Sequence, residues 1–109
     1  MVKPIVPRMY VVVRKDLDQT YRMVQGSHAL AQYALEHPEE LKAWNNEYLI
    51  FLGTFLEINM QNLYRKLVAK GFIVSKFNEP DQRDQMTALA LFEDGSGRVS
   101  RALEKLPLA

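Results

Sequence analysis

The chain has no cysteine among its 109 residues, which excludes disulfides, thiolate metal sites and cysteine nucleophiles. That usage suits a reducing compartment, so a cytoplasmic location is the expectation. Histidine is scarce, with only His28 and His37 and no H-E-x-x-H spacing, and no metal site is expected. Glycine-rich phosphate loops are also missing: neither G-x-G-x-x-G nor G-x-x-x-x-G-K-[ST] occurs, and Gly95-Ser96-Gly97 stands by itself. No apolar run approaches the roughly 18 residues of a membrane span. Met1 to Pro7 carries two prolines where a signal peptide would carry an apolar core, so neither a span nor an export signal is expected. A charge excess is lacking as well. Fourteen Lys and Arg against thirteen Asp and Glu leave a net charge of +1, so any polyanion must be met by a local patch and not by a global field.

What is present is an ordinary globular balance, 48% apolar and 25% charged, in a length that suits one domain over 1–109 with a leader at 1–8. Met9 to Arg14 is a short β-branched run of the kind buried on both faces of a sheet. Lys15 to Thr20 is a polar loop with Thr20 as a candidate cap. The set Met23, Gly26, Leu30, Tyr33, Ala34 and His37 predicts one helix face over 21–37. Pro38 starts a second, short helix, with Glu39 and Glu40 at its positive end, that stops at Asn45-Asn46. Tyr48 to Leu52 predicts a second buried strand, followed by Gly53 as a bulge or close approach. Asn59 is a candidate cap for a helix bearing Met60, Leu63, Tyr64 and Leu67, with Gly71 as its left-handed terminator. A strand from Phe72 to Glu79 is stopped by Pro80, Asp81 to Gln85 is a polar loop, and Met86 to Phe92 is a fourth strand. After the Asp94–Gly97 turn, Val99, Ala102, Leu103 and Leu106 predict a last helix. The order β-α-α-β-α-β-β-α specifies an α/β fold: a small mixed four-stranded sheet with helices on both faces.

The residues that could carry chemistry gather after the first strand: Arg14, Lys15 and Asp16, then Tyr21-Arg22, then Gln25-Gly26-Ser27-His28. Ligands of α/β sheets bind beyond the carboxyl ends of parallel strands, where helix N-termini offer free amides. Val12-Val13-Arg14-Lys15-Asp16-Leu17, followed by Gln25-Gly26-Ser27-His28-Ala29, resembles the type-II peptidyl-tRNA hydrolases, whose first strand ends in V-R-x-D-L and whose first helix carries A-Q-C-S-H-A. Trp44, the helix ending at Gly71 and the strand at Thr87 to Leu91 also fall where that family has counterparts.

The resemblance implies an enzyme that hydrolyses the ester joining a peptide to the terminal ribose of tRNA, as a homodimer and without metal or cofactor. Gln25, His28, Glu79 and Asp81 are then the candidate catalytic residues, and Arg14, Lys15, Asp16, Arg22, Ser27 and Arg83 the candidates for holding substrate. In that assignment Glu79 or Asp81 activates a water. The Gln25 amide, with the backbone amides of Gln25 to Ser27, holds the oxyanion, and Arg14, Lys15 and Arg22 grip the tRNA backbone. The departures are specific. A glycine- and lysine-rich G-K-G-K stretch of the family is Asp18-Gln19-Thr20-Tyr21 here, without a lysine. The family cysteine is Gly26, and D-A-G-R-T-Q is replaced by Glu79-Pro80-Asp81-Gln82-Arg83-Asp84-Gln85. Arg22, the nearest cation, cannot deprotonate to act as a base. Two other readings follow: a hydrolase-like fold that binds RNA, a nucleotide or a nucleotide-like ligand without cleaving it, and a protein-interaction module. His28, Asp16 and the charged 79–84 loop also have plain structural readings, as a packed histidine, a loop brace and a solvated turn. Trp44, Tyr48 and Phe51 are expected in the core.

Overall fold

The computed structural model describes residues 6–109, so most of the leader expected at 1–8 lies outside the described residues. The order is β1 (Arg8–Arg14), α1 (Gln19–Glu36), α2 (Pro38–Trp44), β2 (Tyr48–Thr54), α3 (Glu57–Ala69), β3 (Val74–Glu79), a 3-10 turn (Pro80–Gln82), β4 (Gln85–Glu93) and α4 (Arg98–Ala102). The strands form one sheet in the order β2-β1-β4-β3, with β1 and β2 parallel and the other two pairs antiparallel. The mixed sheet expected from the β-branched runs is therefore present, with the predicted element order.

The side-chain period of two in a strand sorts β1 between two cores. Tyr10 and Val12 point to one face, into a cluster with Met60 and Leu67 of α3, Leu89 and Leu91 of β4, Val99 of α4 and Leu103 just after it. Met9, Val11 and Val13 point to the other, against Ala29, Tyr33 and Trp44 of α1 and α2. Both middle strands are thus covered on both faces, which is why they read as unbroken apolar runs.

Several local expectations shift by a few residues for identifiable reasons. Asp18, not Thr20, caps α1, accepting from the Tyr21 amide at 3.1 Å. Asn59 is not the cap itself but lies three residues past the N-cap Leu56, and its side chain accepts from the Leu56 amide at 3.0 Å. Gly71 does follow α3 at φ +84°, and Asn45 and Asn46 are both left-handed at the end of α2. Tyr48, expected in the core, is 57% exposed because β2 is an edge strand, whereas Trp44 is buried and donates its indole N–H to the Tyr48 carbonyl at 2.8 Å. The outer edge of β2 is partly covered by the chain itself: the Gly53 amide donates to the Pro107 carbonyl at 2.8 Å and the Ala109 amide to the Phe51 carbonyl at 3.0 Å.

The buried face of α1 is rotated from the one expected. Met23 is exposed, and the residues against the sheet are Gln25, Gly26, Ala29 and Tyr33. Gly26 allows the close approach, since a Cβ there would lie 2.4 Å from the Phe51 ring and 3.0 Å from Val11. The rotation carries a polar side chain, Gln25, into the interior, and that places the site.

Candidate functional site

Burying Gln25 commits the fold to satisfying its amide, because an unpartnered buried amide is costly. Thr87, at the start of β4, donates its hydroxyl to Gln25 Oε1 at 2.5 Å, and Gln25 Nε2 donates to Glu79 Oε1 at 3.4 Å. The Tyr21 hydroxyl donates to the same Glu79 oxygen at 3.4 Å. Four side chains from α1, the end of β3 and β4 thus form one cluster at the end of the sheet where β1 finishes. Gln25 and Thr87 are fully buried and Glu79 is nearly so. Neither Tyr21 nor Gln25 touches the second Glu79 oxygen. Desolvation, more than the neighbouring Glu79, holds the Tyr21 phenol above its ordinary range, so it is a neutral donor at physiological pH.

The register explains why Glu79, among the carboxylates of its loop, joins the cluster. Phe77 pairs with Ala88 and Asn78 with Met86, so Thr87 is the extra residue of a β-bulge on β4 opposite the end of β3, and the β3 backbone then turns away after Glu79 through the 3-10 segment. Asp81, Arg83 and Asp84 are exposed on that turn, with Arg83 and Asp84 at φ 55° and 56° and the Asp84 amide donating to the Glu79 carbonyl at 3.0 Å.

Beside the cluster, Arg14 is 6% exposed and held from two directions. It forms a bidentate pair with Asp16, Nε to Oδ1 at 3.0 Å and Nη2 to Oδ2 at 2.7 Å, while Nη1 donates to Gln85 Oε1 at 2.9 Å. That pairing raises the Arg14 pKa and holds the Asp16 carboxyl below its usual range. Arg22 turns back on the β1–α1 loop, donating to the carbonyls of Leu17 and Lys15, each at 2.6 Å. Lys15 is half-buried, its stem packed over Gly53. Arg14 and Arg22, expected to grip a tRNA backbone, are thus engaged in bracing the loop that carries the site. Arg22 uses Nε and Nη2 in these bonds, while Arg14 has all three of its nitrogens engaged.

The remaining candidates lie outside the cluster. Ser27 is exposed and donates to the Met23 carbonyl at 2.8 Å within the helix. His28 is exposed, its ring stacked on Phe77 at 4.5 Å between centroids and 10° between planes. Two surface hollows follow α1, one of about 300 Å³ lined by residues that include Arg22, Ser27 and Phe51, the other of about 410 Å³ beside Met23 and His28. Neither is lined by Gln25, Glu79 or Thr87. One expectation is corrected: the backbone amides of Gln25 to Ser27 cannot form an oxyanion hole. They sit seven to nine residues into a helix that starts at Gln19, and only the first four amides of a helix lack an internal acceptor.

Tyr21 lies in the stretch expected to carry chemistry but had no role assigned to it, and Thr87 was not singled out by the residue pattern. The available signal was a polar residue inside the apolar run Met86-Thr87-Ala88, since a buried hydroxyl must have a partner. Among the described residues no group of three or more His, Cys, Asp or Glu side chains is placed to hold a metal ion.

No family model and no curated protein matches the chain. Among solved structures, a protein of unknown function from Agrobacterium tumefaciens strain C58 superimposes with a TM-score of 0.70 at 12% sequence identity, over 96% of this chain and 98% of that one. At that identity the likeness shows a shared fold. No helix among the described residues is long and apolar enough to cross a membrane.

Proposed function

We propose that the chain is a divergent hydrolase of the type-II peptidyl-tRNA kind, acting on the ester between a peptide and tRNA without a metal or cofactor, with Glu79 as the group that activates water. The observation that carries this reading is the contact of Gln25 with both Thr87 and Glu79, three residues far apart in sequence and gathered at one end of the sheet. In the mechanism that follows, Glu79 accepts a proton from a water at its unengaged oxygen. The water oxygen then attacks the ester carbonyl carbon, and collapse of the tetrahedral intermediate expels the ribose oxygen, which takes up the proton held on Glu79 and restores its carboxylate. Gln25 and Tyr21 fix the carboxylate through its other oxygen, and Thr87 fixes Gln25. Their role is positioning. On this reading His28 and Ser27, exposed on the outer side of α1, contact substrate and take no part in proton transfer at this cluster.

A second reading has an observation of its own. Gln25 and Thr87 are fully buried, and the hollows along α1 do not reach them, which favours a hydrolase-like fold that binds tRNA or a nucleotide-like ligand on that surface and leaves it intact. Single-turnover cleavage of an N-blocked aminoacyl-tRNA separates the two. Cleavage by the native chain that is lost in Glu79→Gln, with the fold and tRNA binding retained, supports the hydrolase. Binding without cleavage in the native chain refutes it in favour of the inert binder.

A further inference from the structure

We propose that the hollow between the end of α3 and the start of α4 is a phosphate-binding site for the backbone of a single-stranded nucleic acid, with Lys70, Arg98 and Arg101 as its cations. This site goes beyond the hydrolase reading and does not depend on it. It lies at the other end of the sheet from Glu79, because α4 follows β4 where β4 pairs with the start of β1. The hollow has a volume of about 200 Å³ and is lined by Lys70, Phe72, Arg98, Arg101 and Ala102. That is room for a phosphate group and its attached oxygens, not for a whole nucleotide in an enclosed pocket.

Three observations point to an anion there. First, none of the three cations has a carboxylate partner: among the described residues the ion pairs within 4.0 Å are Arg14–Asp16 and Lys42–Glu39. The nearby acids are otherwise engaged. Glu93 accepts from the amides of Gly95, Gly97 and Ser100 at 2.8, 3.0 and 2.8 Å, and Asp94 accepts from the Ser96 amide at 2.9 Å. Glu104, three residues after Arg101, is exposed and makes no ion pair with it. Second, Arg98 is pre-positioned: its guanidinium lies over the Phe72 ring at 5.2 Å from the centroid, and that ring is anchored against the α3–α4 core. A guanidinium held over a ring face through its π contact keeps its N–H donors free for a phosphate. Third, Arg98 and Arg101 lie three residues apart on α4 and Lys70 directly follows α3, so three cations and no carboxylate line the hollow.

Most cations among the described residues lack a carboxylate partner, but Lys70, Arg98 and Arg101 line one hollow together, with no acidic residue in its lining. An aromatic-backed arginine with two further cations suits successive phosphates of a flexible strand better than an isolated acidic group.

The test is fluorescence anisotropy with a short labelled oligouridylate carrying no ester, at a series of salt concentrations, so that its outcome is independent of any hydrolysis. Arg98→Gln and Arg101→Gln should each weaken binding and reduce the slope of log K against log salt by about 0.7, as expected for one lost phosphate contact on a single strand. Arg101→Lys should keep the slope, and Lys42→Gln, which removes the same unit of charge from α2, should leave binding unchanged. Melting curves of the same samples separate a lost contact from a lost fold. The proposal is overturned if both glutamine variants keep the native slope, if Lys42→Gln weakens binding as much as they do, or if a phosphorylated peptide binds through these arginines while the oligonucleotide does not.

Discussion

Replacing Thr87 by valine keeps the volume and β-branching of the side chain and removes one hydroxyl. In the native fold that hydroxyl donates to Gln25 Oε1 at 2.5 Å, between two side chains with no solvent exposure. The variant leaves a buried amide oxygen without a donor, and no water replaces it in a closed interior. The expected loss is the desolvation penalty of one unsatisfied polar group, about 1–3 kcal/mol. For a domain near this size, 1 kcal/mol moves the melting temperature by about 4–8 °C, so a fall on the order of 10 °C is expected. Chemical denaturation with linear extrapolation supplies the free energy, and an unchanged slope shows that the unfolded state is unaltered. Thr87→Ser should recover most of the hydrogen bond. Gln25→Leu combined with Thr87→Val should be less damaging than the sum of the two changes, because removing both partners leaves no orphan at that contact. A Thr87→Val protein within about 0.5 kcal/mol of the native one, or a Thr87→Ser protein as unstable as the valine variant, would refute the reasoning that this bond organises the site.

Three further outcomes follow from the same geometry. Gly26→Ala should lower stability by about 1–3 kcal/mol despite alanine's better helix propensity, since its methyl would meet Phe51 at 2.4 Å; a thermal melt equal to or above native would contradict the close packing of α1. The Asp16 carboxyl is depressed by its hydrogen bonds from Arg14, so its stabilisation is fully present above the unfolded carboxyl value near 4 and fades as pH falls through the lower folded value. The stability difference between native and Asp16→Asn proteins should therefore be constant from neutral pH to about 4 and shrink below it, and a difference that grows on acidification would reverse the sign of the argument. Glu93→Ala should cost roughly 3 kcal/mol, because three backbone amides that open α4 lose their common acceptor; hydrogen exchange at Gly97 and Ser100 unchanged from native would show that the cap is dispensable.

The parts of the fold that were legible are those where one physical signal dominates. Continuous β-branched runs marked the strands, Pro38 and Gly71 marked helix ends, and the element order followed from their alternation. Edge position was not legible: Tyr48-Leu49 has the same composition as a buried strand, and only the order β2-β1-β4-β3 leaves its outer side open. The rotation of α1 escaped the apolar periodicity for the reason that makes it informative. Its buried stripe includes Gln25, which hydropathy assigns to the surface and a tertiary partner, Thr87, brings inside.

The candidate site was legible in its residues more than in their roles. Gln25 and Glu79, named from different segments, do meet. Arg14, Asp16 and Arg22 were read as ligand contacts, and in the fold they are engaged in bracing the β1–α1 loop. A sequence shows that a cation is present near a site; whether its donors are already taken depends on carbonyls and carboxylates that the fold brings up. Lys70, Arg98 and Arg101 illustrate the converse, since their grouping exists only once the end of α3 and the start of α4 are side by side.

The central claim, that Glu79 activates a water for attack on an acyl ester, is tested most directly by cleaving an N-blocked aminoacyl-tRNA in ¹⁸O-labelled water under single-turnover conditions and weighing the released acid. The account predicts one ¹⁸O atom in the carboxylate of the released blocked amino acid, unlabelled ribose, and loss of release in Glu79→Gln with an unchanged melting curve. Native-rate release by Glu79→Gln, or no release by the native chain above the uncatalysed background, would contradict it.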